Sequence, residues 1–251
     1  MIPKKIASAT AFVTGAAGGI GRCLVDALLA RGVKRIYVAD LHASGVDPFK
    51  GEARLVPIDL DITDEASVAS AAARAADTTL LINNAGVNLR APFLAAPSMA
   101  AARREMDTNY FGTLAMCRAF APLLMRNSSG DGSAIVNVLS ILAKVTLPNL
   151  GSYCAAKAAL LRLTEGIRAE LAGEGVKVLA VMPWAVDTPM SGPFPGVKTP
   201  PAEIAAGTLD ALERGDEEAY FHAFTDEINA ALKTDPKALE RSLAATFRRA
   251  R

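Results

Sequence analysis

The chain has 251 residues, 51% hydrophobic and 21% charged, which is enough apolar material for one large α/β domain or two small ones. Its 27 basic and 26 acidic residues give a formal net charge of +1, which argues against a general attraction to nucleic acid or to an anionic membrane. No apolar run reaches the length of a membrane span, and the amino-terminal segment leads directly into a strand-like pattern without a targeting signal, so we expect a cytoplasmic protein.

The cysteines and histidines do not form a recognisable metal or nucleophile pattern. Cys23, Cys117 and Cys154 lack metal or disulfide spacing and lie in helical patterns, so we expect small buried thiols. His42 and His222 are far apart in the sequence. A histidine metal site or a serine–histidine triad is therefore not expected, and we predict no bound metal.

The first third of the chain alternates strand and helix patterns. Residues 9–14 predict a first strand, which a glycine-rich turn connects to a helix over 22–31. Gly32 can end that helix at its C′ position. Strands are predicted over 35–39, 53–58 and 79–82, and Thr63 is the expected N-cap of a helix that runs to residue 75.

The rest of the chain continues the alternation. A long helix is predicted over 100–125, strands over 134–139 and 177–182, and a further helix between these two strands. A proline- and glycine-rich loop over 188–201 precedes a helix over 202–214, a short strand over 219–221 and a broken amphipathic pattern over 226–249. The order predicts an α/β fold, a doubly wound, Rossmann-like parallel sheet of about seven strands in three layers, with helices on both faces. We expect one domain over residues 1–251.

A glycine-rich turn joins the first strand to the first helix. It contains Gly15, Gly18, Gly19 and Gly21, four glycines in seven positions, whereas a tight turn without a ligand needs about one. Glycines permit close backbone approach, and a helix N-terminus presents free amides and positive potential to a pyrophosphate. The turn therefore predicts a dinucleotide site.

Asp40 ends the second predicted strand, 19 residues after Gly21. A carboxylate at this point can accept hydrogen bonds from ribose hydroxyls and repels a 2′-phosphate. A basic residue at position 18 or 41 would help to hold that phosphate, but these positions are Gly18 and Leu41. An ordinary loop aspartate is the alternative, but the charge pattern favours NAD as the cofactor over NADP.

Three proton-transfer side chains are predicted to converge near the fifth strand. Ser140 follows that strand, and the carboxyl ends of parallel strands are where ligands bind in an open sheet. Tyr153 and Lys157 are four residues apart, so on a helix they share one face. The spacing alone also occurs by chance, as an exposed lysine above a half-buried tyrosine.

Taken together, these motifs resemble the short, single-domain branch of the short-chain dehydrogenase/reductase family. The resemblance covers nearly the whole chain, and six motifs occur in the family's order. The residues that carry it are Thr14 to Gly21, Asp40, Asp61-Ile62-Thr63, Asn83-Asn84-Ala85-Gly86, Asn109, Ser140, Tyr153, Lys157 and Pro183 to Thr188.

The resemblance implies a nicotinamide cofactor along the glycine turn and the strand ends. Adenine would meet Asp61 and Ile62, the riboses would lie beside the Asn83 motif, and Val186 and Thr188 would hold the carboxamide. The implied cofactor residues are Gly15, Gly19, Ile20, Gly21, Asp40, Asp61, Ile62, Asn83, Ala85, Gly86, Tyr153, Lys157, Pro183, Val186 and Thr188.

The resemblance also implies a catalytic tetrad of Asn109, Ser140, Tyr153 and Lys157. Tyr153 would be the general acid and base as hydride passes between nicotinamide and a secondary alcohol or ketone. An adjacent ammonium favours phenolate, so we expect Lys157 to lower the pKa of Tyr153 and also to bind the nicotinamide ribose. Ser140 would bind the substrate oxygen, and Asn109 would support a water-linked proton path.

The chain departs from the family after the sixth strand. Members usually have Pro-Gly there, whereas this chain has Pro183-Trp184. The tryptophan is expected either to wall the substrate pocket or to pack against the following loop. With a substrate-loop region over about 188–215, the expected pocket is mainly apolar and consists of Ser140, Leu142, Val145, Leu147, Trp184 and Met190.

Two other functions fit part of the pattern. A non-catalytic dinucleotide-binding regulatory protein would need the glycine turn, but it would not need Ser140. A sugar-nucleotide epimerase or dehydratase also uses Tyr-x-x-x-Lys, but it generally needs a larger C-terminal domain than the about 60 residues after Thr188.

The chain is also expected to self-associate. The helical patterns over 109–125 and 153–171 have more apolar and small residues than one buried face needs. Similar proteins pair these helices across two-fold axes, so we predict a homodimer or homotetramer.

Overall fold

A computed structural model describes residues 6–43, 51–128, 132–192 and 196–249, with side chains up to residue 245. Seven parallel strands form one sheet in the order β3-β2-β1-β4-β5-β6-β7. The predicted Rossmann-like α/β fold is confirmed. The strands are β1 Thr10–Thr14, β2 Arg35–Asp40, β3 Leu55–Asp59, β4 Leu80–Asn83, β5 Ser133–Val138, β6 Val176–Pro183 and β7 Glu218–Phe221.

Helices cover both faces of the sheet. They are α1 Gly19–Ala30, α2 Glu65–Arg74, α3 Ala100–Met106, α4 Thr113–Asn127, α5 Gly151–Glu170, α6 Pro201–Arg214, α7 Ala223–Thr234 and α8 Pro236–Arg249. The helix predicted over 100–125 is interrupted, because a π-helical turn over Asp107–Gly112 separates α3 from α4. Such turns are frequent at functional sites, and this one contains Asn109.

Alternation along β1 shows how the sequence builds two apolar layers. Phe12 points to the face covered by α2, α4 and α5, where its ring lies 4.6 Å from that of Phe120. Val13 points to the opposite face and belongs to the core that contains Leu24 of α1 and Leu209 of α6. Successive strand residues face opposite sides of a sheet, so buried strands need apolar residues at nearly every position.

The N-cap prediction for α2 is wrong by one residue. The cap is Asp64, whose carboxylate accepts a hydrogen bond from the Ala66 amide at 2.9 Å. Thr63 instead donates its hydroxyl to Asp61 at 2.7 Å and its amide to the same carboxylate oxygen at 2.9 Å. A tight turn before the helix therefore uses the threonine, and the next residue satisfies the free amides of the first helical turn.

The segment after β6 is more ordered than its proline and glycine content predicted. Pro189–Ser191 forms a short 3-10 helix, and Val186 bridges to Thr199. Residues 193–195 of the predicted irregular loop lie outside the described residues.

All three cysteines are free thiols, but Cys23 is only partly buried, although we expected a buried thiol at this position. Among the described helices, none is both long and apolar enough to cross a lipid bilayer.

Self-association remains a prediction, and Gly166 on α5 allows a direct test. A Cβ atom at this position would have no other atom within 4 Å, so a single chain can accept a larger side chain there. We expect light scattering to report two or four times the mass of one chain. Gly166→Arg should shift the protein toward monomer, since it would place a charge in the predicted interface. Ala230→Arg, on the exposed face of α7, is the matched control. A wild-type protein that is monomeric at micromolar concentration would contradict the prediction.

Candidate active site

A cleft of about 1200 Å³ runs along the carboxyl ends of the strands. Its lining includes residues that follow five strands in turn: Asp61 after β3, Asp40 at the end of β2, Asn84 after β4, Ser140 after β5 and Trp184 after β6. The order of strands reverses between β1 and β4, and open α/β sheets bind ligands in the crevice at such a point. The topology therefore brings distant motifs to one cavity.

The glycine-rich turn contributes Gly15, Gly18, Gly19 and Ile20 to the lining of this cleft. Gly15 has φ 63, and a Cβ on Gly21 would lie 2.0 Å from the Gly15 carbonyl oxygen, so the turn could not close over a larger residue. A Cβ on Gly19 would lie 2.4 Å from Cγ2 of Thr188. The N-cap of α1 is Gly18, which has no side chain to cap the first amides. These features fit a pyrophosphate at the helix N-terminus.

Asp40 is already fixed toward the glycine turn. One carboxylate oxygen accepts the Ala17 amide at 3.0 Å, and the other accepts the Leu41 amide at 2.9 Å. Each oxygen retains a further lone pair, so the carboxylate can still accept a ribose hydroxyl. At the neighbouring strand end, the hydrogen bonds from Thr63 lower the pKa of Asp61.

Most of the predicted cofactor residues reach the cleft, but two do not. Asn83 is buried in β4, and its Nδ2 donates to Oδ1 of Asn137 at 2.9 Å, so its side chain does not reach the cleft. Gly21 lies beneath the turn and acts through packing. The predicted cofactor residues in the described lining are Gly15, Gly19, Ile20, Asp40, Asp61, Ile62, Ala85, Gly86, Tyr153, Lys157, Pro183, Val186 and Thr188.

Asn84, which the sequence reasoning left without a role, braces the turn. Its Nδ2 donates to the carbonyls of Thr14 and Gly15, both at 3.0 Å. In return, the Thr14 hydroxyl accepts the amides of Asn84 and Ala85 at 3.0 Å. The end of β4 and the start of the glycine turn are thus held together before any ligand arrives.

Ser140 and Tyr153 meet at the β5 end of the cleft. The Ser140 hydroxyl accepts the Leu142 amide at 3.2 Å and donates to the Pro183 carbonyl at 3.4 Å, and it is close enough to Tyr153 to act on the phenol pKa. Both residues are buried and both line the cleft. A substrate oxygen placed here would meet two hydroxyl groups at once.

Lys157 and Asn109 complete the predicted tetrad on the inner side of Tyr153. The Lys157 ammonium donates to the Val138 carbonyl at 2.9 Å, and its nitrogen lies 5.7 Å from the Tyr153 ring centroid. The Asn109 side chain donates to the Val87 carbonyl at 2.9 Å and accepts the Val87 amide at 3.0 Å. The four predicted residues therefore all line one cavity.

Burial sets the proton affinities of the two titratable members. It raises the pKa of Tyr153 and lowers that of Lys157 to about 8, because each charged form is poorly solvated there. The expectation that Lys157 holds the pKa of Tyr153 below its ordinary value is therefore wrong for the cofactor-free protein. A hydrogen bond from Ser140 lowers the phenol pKa, but by less than burial raises it.

Apolar side chains form the wall beyond Ser140. Trp184 lines the cleft and also packs its ring 4.4 Å from that of Phe224, in the first turn of α7. The tryptophan thus joins the pocket to the C-terminal helices rather than to the following loop. Val145 does not line the cleft as predicted, because it packs against Ile141 instead. The predicted substrate residues in the described lining are Ser140, Leu142, Leu147, Trp184 and Met190.

Glu105 is a buried acid in this region that the sequence reasoning missed. Its carboxylate accepts the Leu89 amide at 2.7 Å and the Ser152 hydroxyl. It lies four residues before Asn109, so the helix pattern could have placed it on the same inward face. The side chain links the segment after β4 to the residue before Tyr153.

Comparisons with known proteins agree with this geometry. The family model described as short chain dehydrogenase matches residues 9–195. A short chain dehydrogenase from Burkholderia cenocepacia J2315, crystallised in complex with NADP, is 47% identical with a TM-score of 0.90, and the alignment covers 95% of this chain and 98% of that chain.

Two curated relatives show how far the similarity extends. Cis-4-hydroxycyclohexanecarboxylate dehydrogenase from Sinomonas cyclohexanicum is 37% identical over 75% of this chain and 78% of the relative. The short chain dehydrogenase tazN from Aspergillus terreus is 35% identical over 72% of this chain, but the match spans only 42% of tazN. The family match covers most of the chain and includes the glycine turn, Ser140, Tyr153 and Lys157. This protein therefore belongs to the short-chain dehydrogenase/reductase family of oxidoreductases.

Proposed function

We propose that this protein transfers a hydride between NAD and a secondary alcohol or ketone, with Tyr153 as general acid and base. The observation that carries the proposal is the convergence of Ser140, Tyr153 and Lys157 on the cleft that is also lined by the glycine-rich turn. The Sinomonas relative is named for a secondary alcohol on a ring, which supports the same substrate class.

The nicotinamide group, when bound, supplies or accepts the hydride. The first amides of α1, those of Gly19 and Ile20, would hold the pyrophosphate, Asp40 would accept ribose hydroxyls, and Lys157 would donate to the second ribose. The cradle fits such a ligand because a side chain at Gly19 would collide with Thr188. The turn after β1, the end of β2 and helix α5 would therefore share the binding of one extended molecule.

Tyr153 transfers the proton at the substrate oxygen. Burial raises the pKa of its phenol, so the group keeps its proton at neutral pH and can donate it to a ketone. Ser140 donates a hydrogen bond to the same oxygen and orients it toward the phenol. In the direction of alcohol oxidation, the rate should rise with pH, because the phenol must lose its proton before it can accept one.

The two alternative functions use the site less completely. A regulatory dinucleotide-binding protein has no use for a serine hydroxyl, a phenol and an ammonium packed around one point of the cleft. An epimerase would act on a sugar nucleotide, and the wall formed by Leu142, Leu147 and Trp184 is apolar. Both features favour the dehydrogenase.

A spectrophotometric screen tests the proposal directly. NADH oxidation is followed at neutral pH with ketones, oxo acids and steroid ketones, and NAD reduction is followed at alkaline pH with the matching alcohols. We expect turnover with at least one pair. Tight binding of NADH without turnover across the screen would favour the regulatory alternative.

The preference for NAD is a separate proposal that rests on Asp40. The Asp40 carboxylate follows β2 in the lining and would repel a 2′-phosphate, while Arg104 of the same lining acts electrostatically on the neighbouring Asp61. The Burkholderia relative was crystallised with NADP, so the two cofactors must be compared experimentally. We expect NADH to bind about tenfold more tightly or better, because like charges at contact distance cost about 1 kcal/mol or more.

Asp40→Ala should reduce the difference between the affinities for NADH and NADPH, mainly through tighter binding of NADPH. Asp210→Ala removes the same charge from an exposed site on α6 and should leave the ratio of the two affinities unchanged. Isothermal titration with NADH and NADPH measures both ratios. Equal affinities of the wild-type protein for the two cofactors would contradict the preference.

A further inference from the structure

The short segment between β4 and α3 is held against the catalytic centre by buried side chains. Asn109 forms two hydrogen bonds with the backbone of Val87, at 2.9 and 3.0 Å. Glu105, fully buried, accepts the Leu89 amide at 2.7 Å. Arg90 follows directly, so its backbone position is fixed by the same helices that surround the active site.

The other side of Arg90 is held by the helix that carries Tyr153. The amide of Ser152 donates to the Ala91 carbonyl at 3.4 Å, and the Ser152 hydroxyl bonds to Glu105. Leu89, before Arg90, is thus linked to Ser152 through Glu105, and Ala91, after Arg90, is bonded to Ser152 directly. The separation between Arg90 and the proton donor is therefore set by buried contacts.

Arg90 itself has an unusual backbone. Its φ is 54, a left-handed conformation that residues other than glycine rarely adopt, and its amide donates to Oδ1 of Asn88 at 3.0 Å. Residues held in such conformations cluster at functional sites. This observation adds to the anchoring of the segment.

The side chain of Arg90 reaches across the mouth of the cleft. Its guanidinium donates to the Ser191 carbonyl and lies against Gly192, where a Cβ would come within 2.8 Å of Nη2. Within the described residues, no carboxylate pairs with it. A guanidinium has five N–H donors, so most of them remain free for a ligand.

The charged residues of the described lining include Lys157 at the catalytic centre and Arg104, which acts electrostatically on Asp61; the full set is Asp40, Asp61, Glu65, Arg90, Arg104, Asp107 and Lys157. Asp40 and Asp61 follow β2 and β3, on one side of the glycine turn. Arg90 reaches Ser191, beyond β6, at the opposite end. The same lining includes the apolar residues Leu142, Leu147, Leu150, Trp184 and Met190.

We propose that Arg90 binds a carboxylate of the substrate, so that the substrate is a secondary alcohol or ketone with an apolar body and one carboxylate. The guanidinium fork matches a carboxylate in two parallel hydrogen bonds. The nearby Lys198 donates to the Gly192 carbonyl at 3.0 Å and pairs with Asp187 at 3.5 Å, whereas Arg90 has no carboxylate partner among the described residues. One guanidinium without such a partner suits a monoanion better than a phosphate dianion, whose second charge would stay unpaired. The inference rests on the proposed function and assigns the substrate class of that site.

Matched ketones test the specificity. We expect the wild-type protein to reduce 4-oxocyclohexanecarboxylate with a kcat/KM at least about tenfold above that of 4-oxocyclohexanecarboxamide, since hydrogen bonds to charged groups are the stronger ones. Arg90→Gln should remove this preference, and Arg90→Lys should retain part of it, because an ammonium lacks the fork. Arg103→Gln, an exposed arginine of α3 outside the lining, is the control and should keep the full ratio.

A binding measurement separates this inference from the proposed function. Trp184 is the only tryptophan in the chain and lines the cleft, so its fluorescence reports on ligands. With saturating NAD, we expect cyclohexanecarboxylate, benzoate or octanoate to bind at least about tenfold more tightly than the matching carboxamide, and this gain to disappear in Arg90→Gln. Carboxylate binding through Arg90 without any turnover would overturn the proposed function and leave standing only the role of Arg90 as a carboxylate-binding residue.

The opposite outcomes are equally clear. Equal or undetectable binding of acid and amide in every pair, or carboxylate binding that survives in Arg90→Gln, would overturn the inference even if ketones are turned over. The pH dependence excludes another cation: the preference should persist from about pH 6 to pH 9, because a guanidinium stays charged. A preference that fades above pH 8 would identify Lys157, whose pKa is lowered to about 8.

Discussion

Tyr153→Phe is expected to lower kcat by about 10²- to 10⁴-fold while NADH affinity stays nearly unchanged. The substitution keeps the buried ring and removes only the hydroxyl that lies beside Ser140. Stopped-flow or steady-state turnover gives kcat, and titration of NADH fluorescence gives the affinity. Separate measurement of the two quantities distinguishes a lost proton donor from a damaged cofactor site.

Tyr37→Phe is the matched control for this variant. Tyr37 lies in β2, outside the cleft lining, and its hydroxyl bonds to Asp77 at 2.7 Å. Its loss should reduce stability slightly and leave kcat unchanged. Ser140→Ala should lower turnover by about a hundredfold without loss of NADH affinity, since its partner is the substrate oxygen. Substantial turnover in Tyr153→Phe would show that the proton moves by another route.

Lys157→Met is expected to lower both turnover and NADH affinity and to remove a pH-dependent part of the folding stability. The wild-type lysine has a folded pKa of about 8, whereas its ordinary value is 10.5. Between these values the unfolded chain holds the proton and the native protein does not, so stability rises with pH in this window. The gain from about pH 8 to pH 10 should be about 2–3 kcal/mol.

A comparison of the wild-type protein with Lys157→Met isolates the contribution of this lysine to the pH dependence of stability. Buried thiols and phenols with raised pKa values, such as Cys117 and Tyr153, destabilise the native state at high pH and oppose the lysine. They are present in both proteins, so the difference in unfolding free energy retains mainly the lysine contribution. Urea titrations of the cofactor-free proteins at several pH values measure it. A difference that does not change with pH would mean that the ammonium is better solvated than its burial indicates.

The fold class and the order of the site motifs could be predicted from the sequence because both depend on local patterns. Alternating strand and helix periods require a parallel sheet, and each site motif follows a strand. The carboxyl ends of such strands meet at one edge, so Asp40, Ser140 and Trp184 could be assigned to one cavity before their positions were known. The glycine-rich turn could also be predicted from the sequence, since only glycine allows its close contacts.

Side-chain direction and burial could not be predicted in this way. Asn83 turns into the core toward Asn137, while its neighbour Asn84 braces the turn, because successive strand residues face opposite sides of the sheet. The pKa of Tyr153 is raised rather than lowered, because the phenol is buried and the ammonium lies 5.7 Å from its ring centroid. Desolvation depends on packing from several elements, which no local pattern contains.

The sequence by itself thus determined the parallel sheet and the glycine-rich turn, because periodicity and spacing along the chain encode them, whereas the tetrad was predicted from the resemblance of the motifs to the family. Only the tertiary structure decided which residues face the cleft, how strongly the tetrad is buried, and that Arg90 reaches the mouth near Ser191. The two are 101 positions apart in the chain. Their contact follows from the positions of β4 and β6 in the folded sheet, and that order becomes apparent only when the strands are assembled.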